Sequence, residues 1–166
     1  MIKGLHHNAY RCRDSEETRR FYEEFLELRL ANTLEISESM TGRKTSALHT
    51  FYELGDGSFL AFFETPDMPF EFKKQHDYDL HIALEVDDTT LDRMFAKGKS
   101  AGLETRGVSD HGFIRSIYFR DPNGYVIELT AKKPGHDRAV DPASNGARDK
   151  LDRWTAGKLR SAPAAD

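Results

Sequence analysis

The chain has 166 residues, of which 38% are apolar and 31% are charged, and its formal net charge is −4. These values are typical of one globular domain with a substantial core. The negative charge and the lack of a basic patch argue against nucleic acid as a partner. No apolar run is long enough to cross a membrane and the first residues lack the layout of a signal peptide, so we expect a cytoplasmic protein.

Cysteine usage restricts the kind of metal site that the chain can build. Cys12 is the only cysteine in the sequence. A single cysteine excludes an internal disulfide and a zinc site made of cysteines. Any metal ion would therefore be held by histidine and carboxylate side chains.

The first half of the chain predicts a strand, a helix and a hairpin. Residues 4–12, GLHHNAYRC, form a short strand in this interpretation. The following DSEETRRFYEEFLELRL has helical spacing and begins with a capping box of Asp14 and Glu17. Two apolar runs in residues 46–64 are separated by Gly55-Asp56-Gly57, which is typical of a hairpin.

The second half repeats this plan. LHIALEV predicts a strand, DDTTLDRMFAKGKSAG a helix that is capped near Asp87 or Asp88 and ends near Gly102, and SIYFRDPNGYVIELT a hairpin. Each copy is too small to bury its own sheet face, so the two must pack together. We predict an α+β domain over residues 1–131, with two βαβββ-type repeats at about 4–65 and 79–131. The repeats would form a curved mixed sheet with the helices on its outer face.

Residues 132–166 differ in composition and are rich in Pro, Gly and Ala. We interpret them as a loose tail with one short helix at about 147–159. Leu151, Trp154 and Leu159 are its candidate anchors, so the helix should pack on the periphery of the domain.

The strand patterns place two histidines on the concave side of the predicted sheet. In LHIALEV, alternate residues form an apolar face from Ile82 to Val86, so His81 lies on the opposite face. The internal repeat aligns His7 with His81. A single strand histidine is more often an ordinary hydrogen-bonded residue, but histidines at equivalent positions of two repeats favour a shared role.

A carboxylate completes this set. The DPNG turn, with Gly124 in a left-handed conformation, predicts a register that pairs Tyr118 with Glu128. Glu128 then faces inward, which is costly unless it is paired or bound to a metal. His7, His81 and Glu128 form the donor set that divalent iron, manganese, nickel or zinc accepts.

Three segments, LHHNAYRCRDSEETRRFYEEFLEL, LHIALEVDD and SIYFRDPNGYVIEL, resemble the signatures of the vicinal oxygen chelate superfamily. That superfamily includes glyoxalases, fosfomycin-resistance transferases, bleomycin-binding proteins and extradiol dioxygenases. The resemblance covers about residues 4–131 and implies His7, rather than His6, as the first metal ligand. It implies His81 and Glu128 as the other two ligands of a site enclosed by the curved sheet.

The resemblance also indicates which chemistry to expect. Members with four ligands carry a further glutamate where this chain has Ala61, and Glu64 lies three residues on, so glyoxalase I and the epimerases fit less well. Tyr118 matches a catalytic tyrosine of extradiol dioxygenases, which the transferases share, and His111 lies close to a second catalytic position of the dioxygenases. We therefore expect a ring-cleaving dioxygenase that acts on a catechol-like or hydroquinone-like substrate with O₂ and Fe(II).

Other interpretations of the same residues stay open. A glyoxalase-like lyase, an isomerase or a thiol transferase would use the same three ligands as a Lewis-acid site. Mn, Ni and Zn are the alternatives to Fe(II) as the metal ion. A non-catalytic binding protein for a small aromatic or an antibiotic is the third alternative. The resemblance implies a homodimer in which His7 of one subunit meets His81 and Glu128 of the other, although closure within one chain is compatible with the sequence.

Overall fold

The computed structural model describes residues 1–161, with residues 159–161 described by their backbone alone. Two units of the predicted βαβββ type follow one another along the chain. The first unit consists of β1 (Tyr10–Arg11), α1 (Ser15–Arg19) with a π-helical continuation (Arg20–Phe25), β2 (Arg29–Glu38), β3 (Lys44–Glu53) and β4 (Phe59–Glu64). The second unit consists of β5 (His81–Glu85), α2 (Asp88–Ser100), β6 (Thr105–Asp110), β7 (Ile114–Arg120) and β8 (Val126–Lys132).

Both helices begin at the aspartates that the sequence indicates. Asp14 caps α1 by accepting a hydrogen bond from the backbone N–H of Glu17 at 2.8 Å. Asp87 caps α2 in the same way by accepting from the N–H of Thr90 at 2.6 Å. These bonds satisfy N–H groups that have no partner within the helix, and they fix where each helix starts.

Each unit forms its own four-stranded sheet. The strand orders are β1-β4-β3-β2 and β5-β8-β7-β6, with the first strand of each unit parallel to the last. One chain therefore contains two four-stranded mixed sheets, one per repeat, and the predicted α+β fold of two repeats is confirmed. Strands β1 and β5 are edge strands, and among the described residues no strand pairs with their outer edges.

The core lies between the two sheets and contains the helices. One cluster of buried side chains joins residues of both helices to one face of each sheet. Phe25 of the first unit, for example, meets Phe119 of the second edge to face, with ring centroids 5.1 Å apart. Because strand residues alternate between faces, the opposite face of each sheet is directed away from this core. The core includes Phe21, Tyr22, Leu60, Phe62, Leu91, Met94, Ile117, Phe119 and Ile127.

The DPNG turn has the predicted conformation and register. The N–H of Gly124 donates to the carbonyl of Asp121 at 3.1 Å, and Tyr118 pairs with Glu128 across β7 and β8. Gly124 has a φ of +97°, and a Cβ at this position would collide with the carbonyl of Lys73. Only glycine meets both conditions without strain.

A buried carboxylate in this turn ties the two units together. Asp121 accepts from the N–H groups of Asn123 at 2.9 Å and Tyr125 at 2.8 Å, and from the hydroxyl of Tyr22 at 2.9 Å. Tyr22 belongs to the first unit and is fully buried. Burial raises the pKa of Asp121 and also that of the Tyr22 hydroxyl, which therefore stays a donor.

Two further bonds from the turn reach the loop that precedes α1. The side chain of Asn123 accepts from the N–H of Arg13 at 2.8 Å, and the hydroxyl of Tyr125 donates to the carbonyl of Arg11 at 2.7 Å. The turn thus fixes the orientation of one unit against the other.

The tail differs from the prediction. Helices α3 (His136–Val140), which was not predicted, and α4 (Ala147–Ser161) follow the second unit. Leu151 and Trp154 are 55% and 67% exposed, so the predicted packing of α4 on the domain is wrong for both, and the side chain of Leu159 lies outside the described part. Helix α4 has too few apolar side chains to form a face that could be buried against the domain. None of the helices among the described residues is long and apolar enough to span a membrane.

Asp121→Ala should lower the free energy of unfolding by about 3 kcal/mol, because several buried donors lose their shared acceptor. Tyr22→Phe removes a single donor and should cost about 1 kcal/mol. Urea unfolding followed by circular dichroism measures both values. Equal stability of Asp121→Ala and the wild-type protein would contradict the role assigned to the turn.

Candidate metal centre

Two of the predicted ligands lie side by side on the outer face of the second sheet. His81 is at the start of β5 and Glu128 is on the neighbouring β8. The Nε2 atom of His81 is 3.3 Å from Oε2 of Glu128. Glu128 is buried, whereas His81 remains partly exposed at this end of the sheet. The sequence thus correctly placed these two side chains on one face.

A backbone carbonyl fixes the orientation of the His81 ring. Nδ1–H of His81 donates to the carbonyl oxygen of Asp77 at 2.7 Å. A carbonyl can only accept, so Nδ1 carries the proton and the lone pair of a neutral ring is on Nε2, towards Glu128. Two acceptors that face each other need a cation or a proton between them. The local chemistry therefore fits a bound metal ion, whose histidine ligands are commonly held by such carbonyls.

Asp77 also positions the next residue of the site. Its carboxylate accepts two hydrogen bonds from the Arg106 guanidinium, both at 2.9 Å. These bonds lower the pKa of Asp77. The guanidinium carbon of Arg106 lies 5.2 Å from the centre of the Tyr118 ring, an arrangement typical of cation–π contact. Sequence reasoning missed Asp77 and Arg106 because neither lies in a recognisable motif.

The two predicted catalytic residues lie in one hydrogen-bonded chain with Glu128. The Tyr118 hydroxyl donates to Oε1 of Glu128 at 3.3 Å, and Nε2 of His111 lies 2.9 Å from the same hydroxyl. When the phenol donates to the carboxylate, Nε2–H of His111 donates to the phenolic oxygen. Burial raises the pKa of Tyr118, and the nearby Glu128 charge adds to this effect. The phenol therefore keeps its proton at neutral pH.

His7, the third predicted ligand, lies on the other sheet. It makes an isolated bridge to Phe59, and its Nδ1 is 2.8 Å from Nδ1 of the adjacent His6. The His7 ring faces Phe51 and His49, with centroids 5.5 and 6.0 Å away. Within the described residues of one chain, no three histidine, cysteine or carboxylate side chains are grouped so that they could hold a metal ion. One chain therefore does not bring His7 to His81 and Glu128.

Aromatic side chains surround His7, and no sequence motif indicated a role for any of them. His49 is buried, stacks on Phe63 with centroids 3.6 Å apart, and has its Nδ1 3.0 Å from the carbonyl of Phe62. Burial lowers the pKa of His49, so its ring is neutral at physiological pH. The signal that could have identified these residues is the alternation of β3 and β4, which puts His49, Phe51 and Phe63 on the face of His7.

A fourth carboxylate ligand is not present near His7 among the described residues. Ala61 is fully buried on β4, directly across from Phe51. Glu64 accepts a hydrogen bond from the N–H of Ser15 at 2.7 Å, so it serves the start of α1.

An uncovered apolar cleft lies beside the edge strand that carries His81. It has a volume of about 890 Å³ and lies between the first unit and β5. Leucine and isoleucine side chains of both units line it, among them Leu5, Leu28, Leu54, Ile82 and Leu84. Charged side chains, among them Arg93 and Lys132, lie at its rim.

Comparison with known proteins identifies relatives that cover most of the chain. A lactoylglutathione lyase of Neisseria meningitidis serogroup A is 32% identical over 143 residues, which cover 80% of this chain and 94% of the relative. A metallothiol transferase FosB of Shouchella clausii is 27% identical over 135 residues, or 78% of this chain and 80% of the relative.

A solved structure agrees with these matches. The fosfomycin resistance protein FosX of Mesorhizobium loti has a TM-score of 0.61 and 27% identity, and the match covers 84% of this chain and 99% of that protein. The profile of the Glyoxalase/Bleomycin resistance protein/Dioxygenase superfamily matches residues 4–129. The predicted resemblance to the vicinal oxygen chelate proteins is thereby confirmed, and the chain belongs to the Glyoxalase/Bleomycin resistance protein/Dioxygenase superfamily.

Proposed function

We propose that the protein is a metal-dependent enzyme of the lyase or thiol transferase kind, with His7, His81 and Glu128 as metal ligands. The observation that carries this proposal is the His81 and Glu128 pair, in which a carbonyl-fixed imidazole directs Nε2 at a buried carboxylate 3.3 Å away. The relatives described above are named a lyase and a metallothiol transferase, which favours this chemistry over the dioxygenase that the sequence analysis put first.

The donor set of two imidazoles and one carboxylate suits several divalent cations, including Mn(II), Zn(II) and Fe(II). A cation held there would act as a Lewis acid on a substrate oxygen and leave positions open for that substrate. Ala61 at the position of a possible fourth ligand supports a site with open positions.

The protein residues beside the ligands supply proton chemistry. Tyr118 would hold its proton at the phenolic oxygen next to Glu128 and donate it to a developing oxyanion of the substrate. His111, at 2.9 Å, would return a proton to Tyr118 from solvent, since it is exposed. Arg106 on the ring of Tyr118, held by Asp77, would keep the phenol in place.

The complete site requires a second copy of the chain in this proposal. His7 precedes β1 and bridges to Phe59 of β4, and His81 is on β5. Among the described residues, β1 and β5 each have an unpaired outer edge. When β1 of one subunit lies against β5 of its partner, the outer faces of two different sheets form one concave surface. Two-fold symmetry would then produce two equivalent sites, and the uncovered cleft beside β5 would provide apolar contact area.

A ring-cleaving dioxygenase with Fe(II) and O₂ is the second candidate. The contact between His111 and Tyr118 favours it, because this pair joins the two residues that resemble catalytic positions of extradiol dioxygenases. A catechol-like or hydroquinone-like compound would be its substrate. A binding protein without catalysis is disfavoured by the ligand pair with its hydrogen-bonded support.

His7→Ala, His81→Ala and Glu128→Ala should each abolish stoichiometric binding of Mn(II), since each removes one of three ligands. His6→Ala and His111→Ala should bind the metal as the wild-type protein does. Equilibrium dialysis followed by elemental analysis measures the occupancy. Full occupancy in His81→Ala would exclude the proposed centre.

The metal requirement separates the two candidate reactions. A lyase or transferase should convert a thiol offered with a 2-oxoaldehyde or an epoxide in the absence of O₂, with Zn(II) or Mn(II) bound. A dioxygenase should need Fe(II) and consume O₂ with a catechol, because Zn(II) has no redox chemistry. Anaerobic thioester or thioether formation, followed spectroscopically, supports the first proposal. If the protein instead consumes O₂ with a catechol, and this activity is lost when Zn(II) replaces Fe(II), the dioxygenase is the correct candidate.

Subunit mixing tests the shared site. When inactive His7→Ala and Glu128→Ala chains are mixed, about a quarter of wild-type activity should return, because half of the dimers are mixed and one of their two sites is intact. His81→Ala mixed with Glu128→Ala is the matched control, since both changes damage the same half of the site and every site stays incomplete. No recovery in the first mixture, with subunit exchange verified by mass spectrometry, would place the site within one chain.

A further inference from the structure

The outer face of the first sheet has an unusual composition for a surface directed away from the core. Because paired residues of antiparallel strands share a face, the register of β2, β3 and β4 identifies its members. Its central part consists of Asn32, Leu34, Ile36, Ala47, His49, Phe51, Phe59, Ala61 and Phe63. None of these side chains carries a formal charge at neutral pH. Glu53, at the end of the face, is paired with Arg29.

Four aromatic rings form a continuous surface that begins at His7. The rings of Phe51 and Phe59 meet at right angles with centroids 6.0 Å apart, and Phe51 lies 4.2 Å from His49, which stacks on Phe63. The phenylalanines are half-buried, so part of each ring is open to a ligand. An antiparallel sheet with one face on the core normally has a polar opposite face, and an apolar one of this size indicates a binding surface.

The second sheet has the opposite character on its outer face. That face carries two of the three proposed ligands, His81 and Glu128, together with the proton donor Tyr118 and its support Arg106. The charged and proton-bearing groups thus belong to one unit and the apolar surface to the other. When the proposed shared site forms, the aromatic surface would be the wall opposite the chemistry.

We infer that the aromatic surface formed by His49, Phe51, Phe59 and Phe63 binds an uncharged aromatic or fused-ring group of the substrate. This inference rests on the proposed metal centre, because His7, 5.5 Å from Phe51, is what joins the surface to it. Ring faces stack on planar apolar groups and gain little from a small anion. A substrate that consists only of a small charged group, such as a short phosphonate, would leave this surface in contact with water.

Two hydroxamic acids with the same metal-binding head test the inference. Benzohydroxamic acid and acetohydroxamic acid present the same oxygens to a metal ion and differ only in a phenyl or a methyl group. Calorimetric titration of the full chain loaded with Mn(II) should give a Kd at least about tenfold lower for the phenyl compound, because only this compound buries a ring against the surface.

Substitutions test whether the aromatic surface causes the preference for the phenyl compound. Phe51→Ala should reduce the affinity ratio by about threefold or more and leave the Kd of acetohydroxamic acid unchanged. Phe51→Leu keeps an apolar side chain at this position and should reduce the affinity ratio by a smaller factor. This variant keeps the test valid if Phe51→Ala does not fold. Phe70→Ala is the matched control, since Phe70 is an exposed ring near Arg11 and lies outside this face. It should keep the wild-type ratio.

The outcomes separate the two proposals. Equal affinity for both compounds in the wild-type protein, or an unchanged ratio in both Phe51 variants, overturns the inference about the aromatic surface and leaves the metal centre in place. If Mn(II) changes the Kd of neither compound, the proposed metal centre is overturned. A phenyl preference that needs Mn(II) and falls in both Phe51 variants supports both proposals.

Discussion

The arrangement of the two units depends on the hydrogen bonds that the buried carboxylate of Asp121 accepts. It is buried in a turn of the second unit and accepts from Tyr22 of the first, while its neighbours Asn123 and Tyr125 bond to the loop before α1. A buried carboxylate is tolerated only where donors surround it, and here the donors come from both units. The geometry of one tight turn therefore determines how two separate sheets face each other.

This arrangement explains why one chain keeps His7 apart from His81 and Glu128. The turn bonds to Tyr22 and to the loop before α1. Both helices contribute to the core between the sheets, so the outer faces of the sheets are directed away from it. His7 is on one of these faces, and His81 with Glu128 is on the other. A fold that closed the two faces on each other within the chain would need the helices outside, and it would lose the packing of Phe25 against Phe119. The predicted shared site stays a prediction, but the packing of the core favours it.

The sequence predicted most reliably where local chemistry decides the structure. Asp14 and Asp87 cap helices because their side chains reach N–H groups three residues on, and the DPNG turn fixes the pairing of Tyr118 with Glu128. Strand β2 was not predicted, because most of its residues are exposed and polar and it owes its conformation to pairing with β3.

Long-range packing accounts for the residues whose role could not be read from the sequence. His49 had no recognisable partner in the sequence, since its stacking on Phe63 depends on the register of two strands. The carbonyl of Asp77 gave no signal at all, because any residue supplies one. Leu151 and Trp154 have helical spacing, which predicted burial, but nothing in a local pattern says whether a neighbouring surface exists for them.

The exposed position of Trp154 has a consequence for spectroscopy. It is the only tryptophan of the chain, and it lies on α4 with two thirds of its surface in water. Its emission already reflects an aqueous environment in the native protein, so intrinsic fluorescence will change little when the core melts. The rings of Tyr22 and Tyr52, both fully buried, are the chromophores that sense the core. Near-ultraviolet dichroism of tyrosine, rather than tryptophan emission, is the optical signal that follows the folding of this protein.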